Sequence, residues 1–115
     1  MSNYVIGLDY GTNSCRAVLM QIGSTQELAA AVFPYPSGEL GVLVDPVDPQ
    51  AARQHPQDYI DGMVSNIKAV LKDADANVSG FSAELVVGLG FATTGSTVIP
   101  VNKNCVPLAL TPEHK

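Results

Sequence analysis

The sequence predicts an α/β domain with a mixed sheet, in which three antiparallel strands precede a helix and a parallel strand follows it. Three short apolar runs, at residues 4–10, 15–22 and 27–34, are separated by turns of small and polar residues. Residues 56–72 then show helical spacing of apolar positions. A strand reached through a right-handed helical crossover lies parallel to an earlier strand. We therefore predict that the next apolar run, residues 84–91, pairs with the first strand.

The composition is that of a folded domain and excludes several classes of protein. The chain has 115 residues, of which 46% are hydrophobic and 15% charged, enough for a real core. The net charge of −5 weighs against a nucleic-acid partner. No apolar run approaches the roughly 20 residues of a membrane span, so we expect no membrane partner. Two cysteines are too few for a disulfide framework. We interpret them as reduced thiols in the cytoplasm, with Cys15 facing a core and Cys105 in a strand.

The first strand ends in a carboxylate, Asp9, and a turn rich in hydrogen-bond donors follows it. Gly11 can adopt positive φ and lets a ligand approach the backbone closely. Successive amides in such a turn can form an anion-binding concavity, to which the side chains of Thr12, Asn13 and Ser14 add donors. A carboxylate beside a phosphate cradle suits Mg²⁺ between them. An ordinary hairpin turn uses the same residue types, and the turn alone favours that interpretation.

The first strand is apolar on both faces before Asp9, so we predict a central strand that is covered on both faces. Arg16 follows the turn, and we expect it to be solvated rather than paired with a carboxylate. Residues 35–55 contain prolines and glycines that exclude a regular helix or a central strand. A loop of this length either carries function or marks a missing neighbour.

The predicted helix begins at Pro56, a residue suited to the first helical position. Asp58 and Asp61 suit its positive N-terminal end, and His55 is expected to cap the helix or face solvent. No zinc site is expected, because no third ligand has metal spacing to the two histidines. The positions expected to face the core are Ile60, Met63, Val64, Ile67, Val70 and Leu71. Those expected to face outward are Asn66, Lys68 and Lys72.

A second loop rich in hydroxyl groups, residues 92–97, follows the predicted parallel strand. Ligands of open α/β sheets bind beyond the carboxyl ends of parallel strands. We therefore expect this loop and the turn after Asp9 to lie at the same edge of the sheet. Residues 98–101 and 106–110, joined by a turn at 102–104, are predicted to form a closing hairpin.

Three segments resemble a known family in their order and spacing. Residues 9–16 resemble the Asp-x-Gly-Thr/Ser-x-Ser-x-Arg phosphate motif of sugar kinases related to actin and the heat-shock chaperones. Residues 53–60 and 87–97 resemble the first helix and the next strand and loop of bacterial L-ribulokinases. These belong to the carbohydrate kinase family of xylulokinase and glycerol kinase. Residues 106–113 continue the resemblance, which departs from the family at Ala92, where an aspartate is usual.

The resemblance implies a ribonuclease H-like, actin-like ATPase fold, with residues 1–115 forming the incomplete N-terminal domain of a two-domain kinase. It implies ATP and Mg²⁺ as cofactors and a ketopentose such as L-ribulose as substrate, in L-arabinose catabolism. Asp9 would lie near the metal and Gly11–Ser14 would bind ATP phosphates. The residues expected to bind the sugar are Thr94, Gly95 and Ser96. The catalytic base is expected beyond Lys115, so this segment alone is expected to be inactive.

Two other interpretations remain open from the sequence. The chain could be a non-catalytic nucleotide- or sugar-binding module of the actin-like superfamily. It could also be only a folding unit that forms homo-oligomers through surfaces that the rest of a kinase chain would otherwise cover.

Overall fold

The computed structural model describes residues 2–39, 41–44, 47, 52–93 and 100–112. Its elements are, in chain order, Tyr4–Tyr10 (β1), Ser14–Gln21 (β2), Glu27–Pro34 (β3), Leu43–Val44 (β4), Ala52–Arg53 (β5), Pro56–Asn77 (α1) and Val86–Ala92 (β6). One four-stranded sheet has the order β3-β2-β1-β6, and a two-stranded sheet pairs β4 with β5. Strand β1 is antiparallel to β2 and parallel to β6. One long helix, α1, connects β5 to the turn before β6.

The predicted mixed sheet is confirmed, with small differences at the ends of its elements. Strands β1 and β3 have the predicted bounds, and β2 begins at Ser14. The helix starts at Pro56 as predicted but continues to Asn77, beyond the predicted end at residue 72. A short 3₁₀ turn at Ala83–Leu85 delays the start of β6. None of the helices in the described part of the chain is long and apolar enough to cross a membrane.

One face of the sheet forms the core, because side chains alternate between the two faces of a strand. The buried residues of β1 are Tyr4, Ile6, Leu8 and Tyr10. Their neighbours on β2 and β3 are buried on the same face and include Cys15, Ala17, Leu19 and Ala29. Helix α1 lies across this face and packs mainly on β2 and β3.

The residues that α1 buries match the prediction in part. Val70 is buried, and Met63, Ile67 and Leu71 pack against the core, as predicted. Ile60 and Val64 are each 43% exposed, whereas Asn66 is 1% exposed and not outward-facing as predicted. The helix lies so close to the sheet that small residues form the contact: a β-carbon on Gly62 would lie 2.4 Å from the Cys15 sulfur. Asn66 is accommodated because its Nδ2 donates to the Cys15 carbonyl at 3.1 Å and contacts the sulfur at 3.3 Å.

Residues around the start of α1 fix the preceding loop. His55 caps the helix as predicted, with its Nδ1 accepting from the Gln57 amide at 3.1 Å. Asp58 lies in the first turn and is 4% exposed. Its carboxylate accepts from the Ser37 amide at 3.2 Å and from the Ser37 hydroxyl at 2.8 Å. The exclusion of a regular helix or central strand between residues 35 and 55 is confirmed for the described part of that segment.

The opposite face of the sheet is open among the described residues. Strand β1 is central, as predicted, but it is covered on one face only. Asp9 is exposed there, and Val32 of β3, on the same face, is 59% exposed. Leu89 and Phe91 of β6 are on the other face, beside Ile6 and Leu8, and are also about half exposed, because β6 is an edge strand on which α1 does not pack. The prediction of a strand covered on both faces is therefore wrong for the part of the chain described.

The predicted closing hairpin is reduced to a single bridge between Val101 and Pro107. The Asn102 carboxamide oxygen accepts from the amides of Asn104 and Val106, at 2.9 and 3.0 Å, and makes this segment a side-chain-stabilised turn. Residues 108–110 form a 3₁₀ turn, not a strand. Cys105 lies in the turn with φ of 63° and is exposed, so the prediction that it lies in a strand is wrong. Residues 98 and 99 of the predicted hairpin lie outside the described residues.

Candidate functional site

The site predicted from the sequence lies at one end of a groove on the open face of the sheet. The ladder register places Gly7 beside Gly90, so part of the groove floor has no side chains. Asp9 and Ala92 are opposite each other at the ends of β1 and β6, and both line the groove. The groove has a volume of about 390 Å³. The register therefore confirms that the two strands end at the same edge, as predicted.

The carboxylate of Asp9 has no hydrogen bond or ion pair among the described residues. Arg16 is its direct neighbour across the β1–β2 ladder. The Arg16 guanidinium instead donates to Glu27 at 2.8 Å, in a pair whose side chains are each about half exposed, at 48% and 49%. The expectation that Arg16 would be solvated and unpaired is therefore wrong. The arrangement leaves Asp9 available to a ligand in the groove.

The turn after Asp9 is closed by its own backbone. The Gly11 amide donates to the Ser14 carbonyl at 2.9 Å, so that amide is already engaged. Gly11 does not use positive φ. A β-carbon at this position would lie 3.2 Å from the Ser14 carbonyl oxygen, which is tighter than most such contacts. The role of Gly11 in the structure is therefore to permit the close approach of two backbone segments.

Three successive carbonyl groups of the turn are held from one side. The Gly11 carbonyl accepts from the Tyr35 hydroxyl at 3.0 Å, and the Thr12 carbonyl accepts from Gln54 Nε2 at 2.9 Å. The Asn13 carbonyl accepts from the Tyr35 amide at 3.0 Å. Because N–H and C=O point in opposite directions across a trans peptide, the next three amides, 12–14, point away from these groups. Outward amides of this kind favour the binding of an anion.

A stack of three tyrosine rings supports the turn from behind. Tyr59 of α1 lies parallel to Tyr10, with ring centroids 4.5 Å apart, and parallel to Tyr35 at 5.5 Å. The Tyr10 hydroxyl donates to the Tyr59 carbonyl at 3.0 Å, and the Tyr59 hydroxyl donates to Gln54 Oε1 at 2.9 Å. Burial raises the pKa of Tyr35 well above its ordinary value, so its hydroxyl remains a donor to Gly11 over the working range of pH.

Three residues that support the site were not predicted from the sequence: Gln54, Tyr35 and Tyr59. They come from a loop and a helix more than 20 residues from the turn that they contact. Gln54 lies within a segment that resembles the kinase family, and this resemblance was the only sequence signal for it. The local pattern offers no indication that its side chain reaches the turn.

The second predicted loop can be placed only in part. Thr93, directly after β6, is exposed. The predicted sugar-binding residues Thr94, Gly95 and Ser96 lie outside the described residues.

The donor set at Asp9 suits a hard cation that shares its ligands with a phosphate. The described residues contain no group of three or more His, Cys, Asp or Glu side chains that could hold a metal. Mg²⁺ commonly takes one or two carboxylates and completes its coordination with water and phosphate oxygens. The exposed Asp9 carboxylate beside outward amides fits that mode of binding, whereas a cage made of protein ligands alone does not fit.

Comparisons with known proteins identify the chain's relatives by sequence. No family model matches. A ribulokinase of Vibrio parahaemolyticus is 43% identical over 112 residues, which cover 97% of this chain and 19% of that protein. Ribulokinases of Halalkalibacterium halodurans and Geobacillus thermodenitrificans are 36% and 39% identical, over 99% and 97% of this chain. The chain spans about a fifth of the length of these relatives.

A solved structure identifies the fold. A gluconate kinase from Lactobacillus acidophilus superposes with a TM-score of 0.64, over 94% of this chain and 19% of that one, at 18% identity. At this identity the likeness establishes the fold alone. The predicted α/β fold with a mixed sheet is thereby confirmed.

Proposed function

We propose, because the chain is a ribulokinase-like segment, that the protein containing it transfers the γ-phosphoryl group of ATP to a hydroxyl of a ketopentose such as L-ribulose. The observation that carries this proposal is that the exposed Asp9 carboxylate, which has no bonding partner among the described residues, adjoins a turn whose amides point away from the Tyr35 and Gln54 contacts. The rest of the kinase chain, with the catalytic base, is expected beyond Lys115. The proposal includes a cytoplasmic location and a role in L-arabinose catabolism.

The turn is proposed to bind the phosphates of ATP. The amides of Thr12, Asn13 and Ser14, with the hydroxyls of Thr12 and Ser14, would donate to phosphate oxygens. Gly11 would not donate to phosphate, since its amide is engaged by the Ser14 carbonyl; it would permit the close backbone approach that shapes the turn. Phosphoryl transfer depends mainly on positioning and on charge stabilisation, so fixed donors of this kind are the contribution expected from this segment.

Asp9 is the residue proposed to hold Mg²⁺. When bound, the cation neutralises part of the charge that phosphate oxygens carry. The chain's own contribution is to keep the Asp9 carboxylate exposed, unpaired among the described residues and adjacent to the turn. The Arg16–Glu27 pair serves this purpose by engaging the cationic side chain that lies opposite Asp9 in the ladder.

The sugar is proposed to bind beside the second loop, through Thr94, Gly95 and Ser96. Ala92 bears on this proposal because it lies directly opposite Asp9 in the parallel ladder. An aspartate there, as in the resembling family, would place two carboxylates side by side, and like charges opposite each other destabilise a sheet. With Ala92, Asp9 is the single carboxylate of this pair of strand ends, which leaves more room and less negative charge near the sugar.

The test is sugar-dependent release of ADP by the complete protein. The protein would be incubated with Mg·ATP and, separately, with L-ribulose, D-ribulose, L-xylulose, D-xylulose and gluconate. We expect ADP release with at least one ketopentose and a lower rate with gluconate. Binding of Mg·ATP without ADP release for any sugar would favour a non-catalytic binding module. If light scattering shows large species and no nucleotide binds, the result would favour a self-associating folding unit.

A further inference from the structure

We infer that Gln54 is a positioning residue for the phosphate-binding turn, Gly11–Ser14, and that it sets the affinity of the turn for the phosphates of a nucleotide. This inference rests on the proposed function. It concerns a residue outside the turn itself, joined to it only through the fold. The Gln54 side chain contacts both the turn and Tyr59 of the aromatic stack behind it.

Both ends of the Gln54 carboxamide have a defined partner. Its Nε2 donates to the Thr12 carbonyl at 2.9 Å and, more weakly, to the Gly11 carbonyl at 3.4 Å. Its Oε1 accepts from the Tyr59 hydroxyl at 2.9 Å. A backbone carbonyl can only accept, and the Tyr59 hydroxyl donates to Oε1, so this orientation of the carboxamide suits both of these partners.

The residue that holds Gln54 from the other side, Tyr59, is itself rigidly packed. Tyr59 lies in the middle of the three-ring stack, within 16° and 18° of parallel to Tyr10 and Tyr35. Its backbone carbonyl is held by the Tyr10 hydroxyl at 3.0 Å. Gln54 therefore connects the exposed tip of a hairpin to a side chain fixed at the start of α1. Such a connection restricts motion of the tip more than a bond to another loop residue would.

The Gln54 bond fixes the orientation of one peptide group of the turn, the one between Thr12 and Asn13. The Thr12 carbonyl and the Asn13 amide belong to the same trans peptide, so holding the carbonyl against Gln54 turns the amide outward. Thr12 and Asn13 are both exposed, and the two bonds from Tyr35 go to the Gly11 and Asn13 carbonyls, not to the Thr12 carbonyl. Without Gln54 this peptide can rotate, which withdraws a donor and presents a carbonyl oxygen to the phosphate.

The first experiment measures this effect in the complete protein with the variants Gln54→Met and Tyr59→Phe. Gln54→Met keeps the length of the side chain and removes its donor, whereas Tyr59→Phe keeps the ring and removes the hydroxyl that orients Gln54. Gln57→Met is the matched control, because its carboxamide bonds to Asp61 on the helix surface and not to the turn. Hydrogen exchange of the amides of residues 11–14 is followed by mass spectrometry, together with the KM values for Mg·ATP and for the sugar.

We expect faster exchange at residues 11–14 in Gln54→Met and a rise of about tenfold in the KM for Mg·ATP, the scale of one lost hydrogen bond. The KM for the sugar should stay within about twofold. Tyr59→Phe should show a smaller effect in the same direction, and Gln57→Met none.

Unchanged exchange and an unchanged KM for Mg·ATP in Gln54→Met would overturn the inference. Equal rises in both KM values would also overturn it, because they indicate a general structural role. Absence of sugar-dependent ADP release in the wild-type protein would count against the proposed function alone. In that case, hydrogen exchange at the turn and the Kd for Mg·ATP decide the role of Gln54.

Discussion

Asp9 and Arg16 lie directly opposite each other in the β1–β2 ladder, yet the Arg16 guanidinium bonds to Glu27 at 2.8 Å and not to Asp9. An exposed ion pair of this kind contributes only about 0–1 kcal/mol to stability. Its main effect is on the site, since it engages the guanidinium opposite the carboxylate that is proposed to hold Mg²⁺. The pair therefore matters more for ligand binding than for folding.

The first prediction concerns Glu27→Gln in the complete protein. The substitution releases the Arg16 guanidinium, which can then reach Asp9 and compete with Mg²⁺. We expect the Mg²⁺ concentration for half-maximal turnover to rise by about two- to fivefold, the scale of a weak exposed ion pair. Glu84→Gln, at an exposed site in the 3₁₀ turn before β6, is the control.

A double variant separates this explanation from a general effect of lost charge. Adding Arg16→Met to Glu27→Gln removes the competing cation and should restore the original Mg²⁺ dependence. An unchanged Mg²⁺ dependence in Glu27→Gln would show that Arg16 does not reach Asp9.

The second prediction concerns Gly62→Ala in α1. Alanine is favoured over glycine in a helix by about 1 kcal/mol. Here its β-carbon would lie 2.4 Å from the Cys15 sulfur and 3.0 Å from the Phe33 ring. We expect the steric cost to exceed the gain and to lower the free energy of unfolding by roughly 1–3 kcal/mol in urea titrations.

Two further variants test the cause of that loss. Ser65→Ala, at an exposed position of the same helix, should leave the free energy of unfolding nearly unchanged. Adding Cys15→Ala to Gly62→Ala should recover part of the loss, because it removes the atom in contact. Strict additivity of the two substitutions would contradict this explanation.

The third prediction concerns alkaline pH. Burial raises the pKa of Tyr35, Tyr10 and Cys15 above their ordinary values, 10.0 for tyrosine and 9.0 for cysteine. The folded state thus holds these protons more tightly than the unfolded state. Their stabilising contribution is present in full below pH 9 and falls as the pH rises above 9.0 for cysteine and 10.0 for tyrosine.

Urea titrations between pH 7 and 11 measure this effect. The free energy of unfolding should fall above pH 9, by up to about 1.4 kcal/mol per pH unit for each group that titrates only in the unfolded state. Tyr35→Phe should reduce the slope above pH 10. A free energy of unfolding that is constant or rises over this range would contradict the prediction.

The fourth prediction is that the 115-residue chain alone does not phosphorylate L-ribulose. The described residues supply one wall of a groove, with Asp9 and the turn, whereas catalysis also needs a base and the exclusion of water. Incubation with Mg·ATP and L-ribulose should release no sugar-dependent ADP. Release above a protein-free control that survives repurification and is lost in Asp9→Ala would refute this prediction.

The parts of this molecule that were predictable from sequence are those set by local patterns. The hairpin from Asp9 to Arg16 is encoded within a few consecutive residues, and Pro56 marks the start of α1 directly. The face that α1 buries was predictable only in part from its apolar residues, since Val70 is buried but Ile60 and Val64 are each 43% exposed. Gly62 and Asn66 form the contact because of the closeness of the sheet, and the bond from Asn66 spans 51 residues.

The residues that support the site were likewise not predictable from local sequence patterns. Gln54 contacts a turn that lies 42 residues away in the sequence. Arg16 pairs with Glu27 of β3, although the residue opposite Arg16 on that strand is Val32. Such contacts depend on the final arrangement of elements and on side-chain reach. Periodicity and turn chemistry carry no information about either.

The most direct test of the central claim is the turnover of Asp9→Asn in the complete protein at saturating Mg·ATP and ketopentose. Asparagine is nearly isosteric with aspartate, so the circular dichroism spectrum and the thermal unfolding midpoint should be unchanged. Because the amide cannot balance the charge of Mg²⁺, we expect sugar-dependent ADP release to fall by about a hundredfold or more. Turnover close to that of the wild-type protein would show that Asp9 is an ordinary turn residue and that the proposed site is wrong.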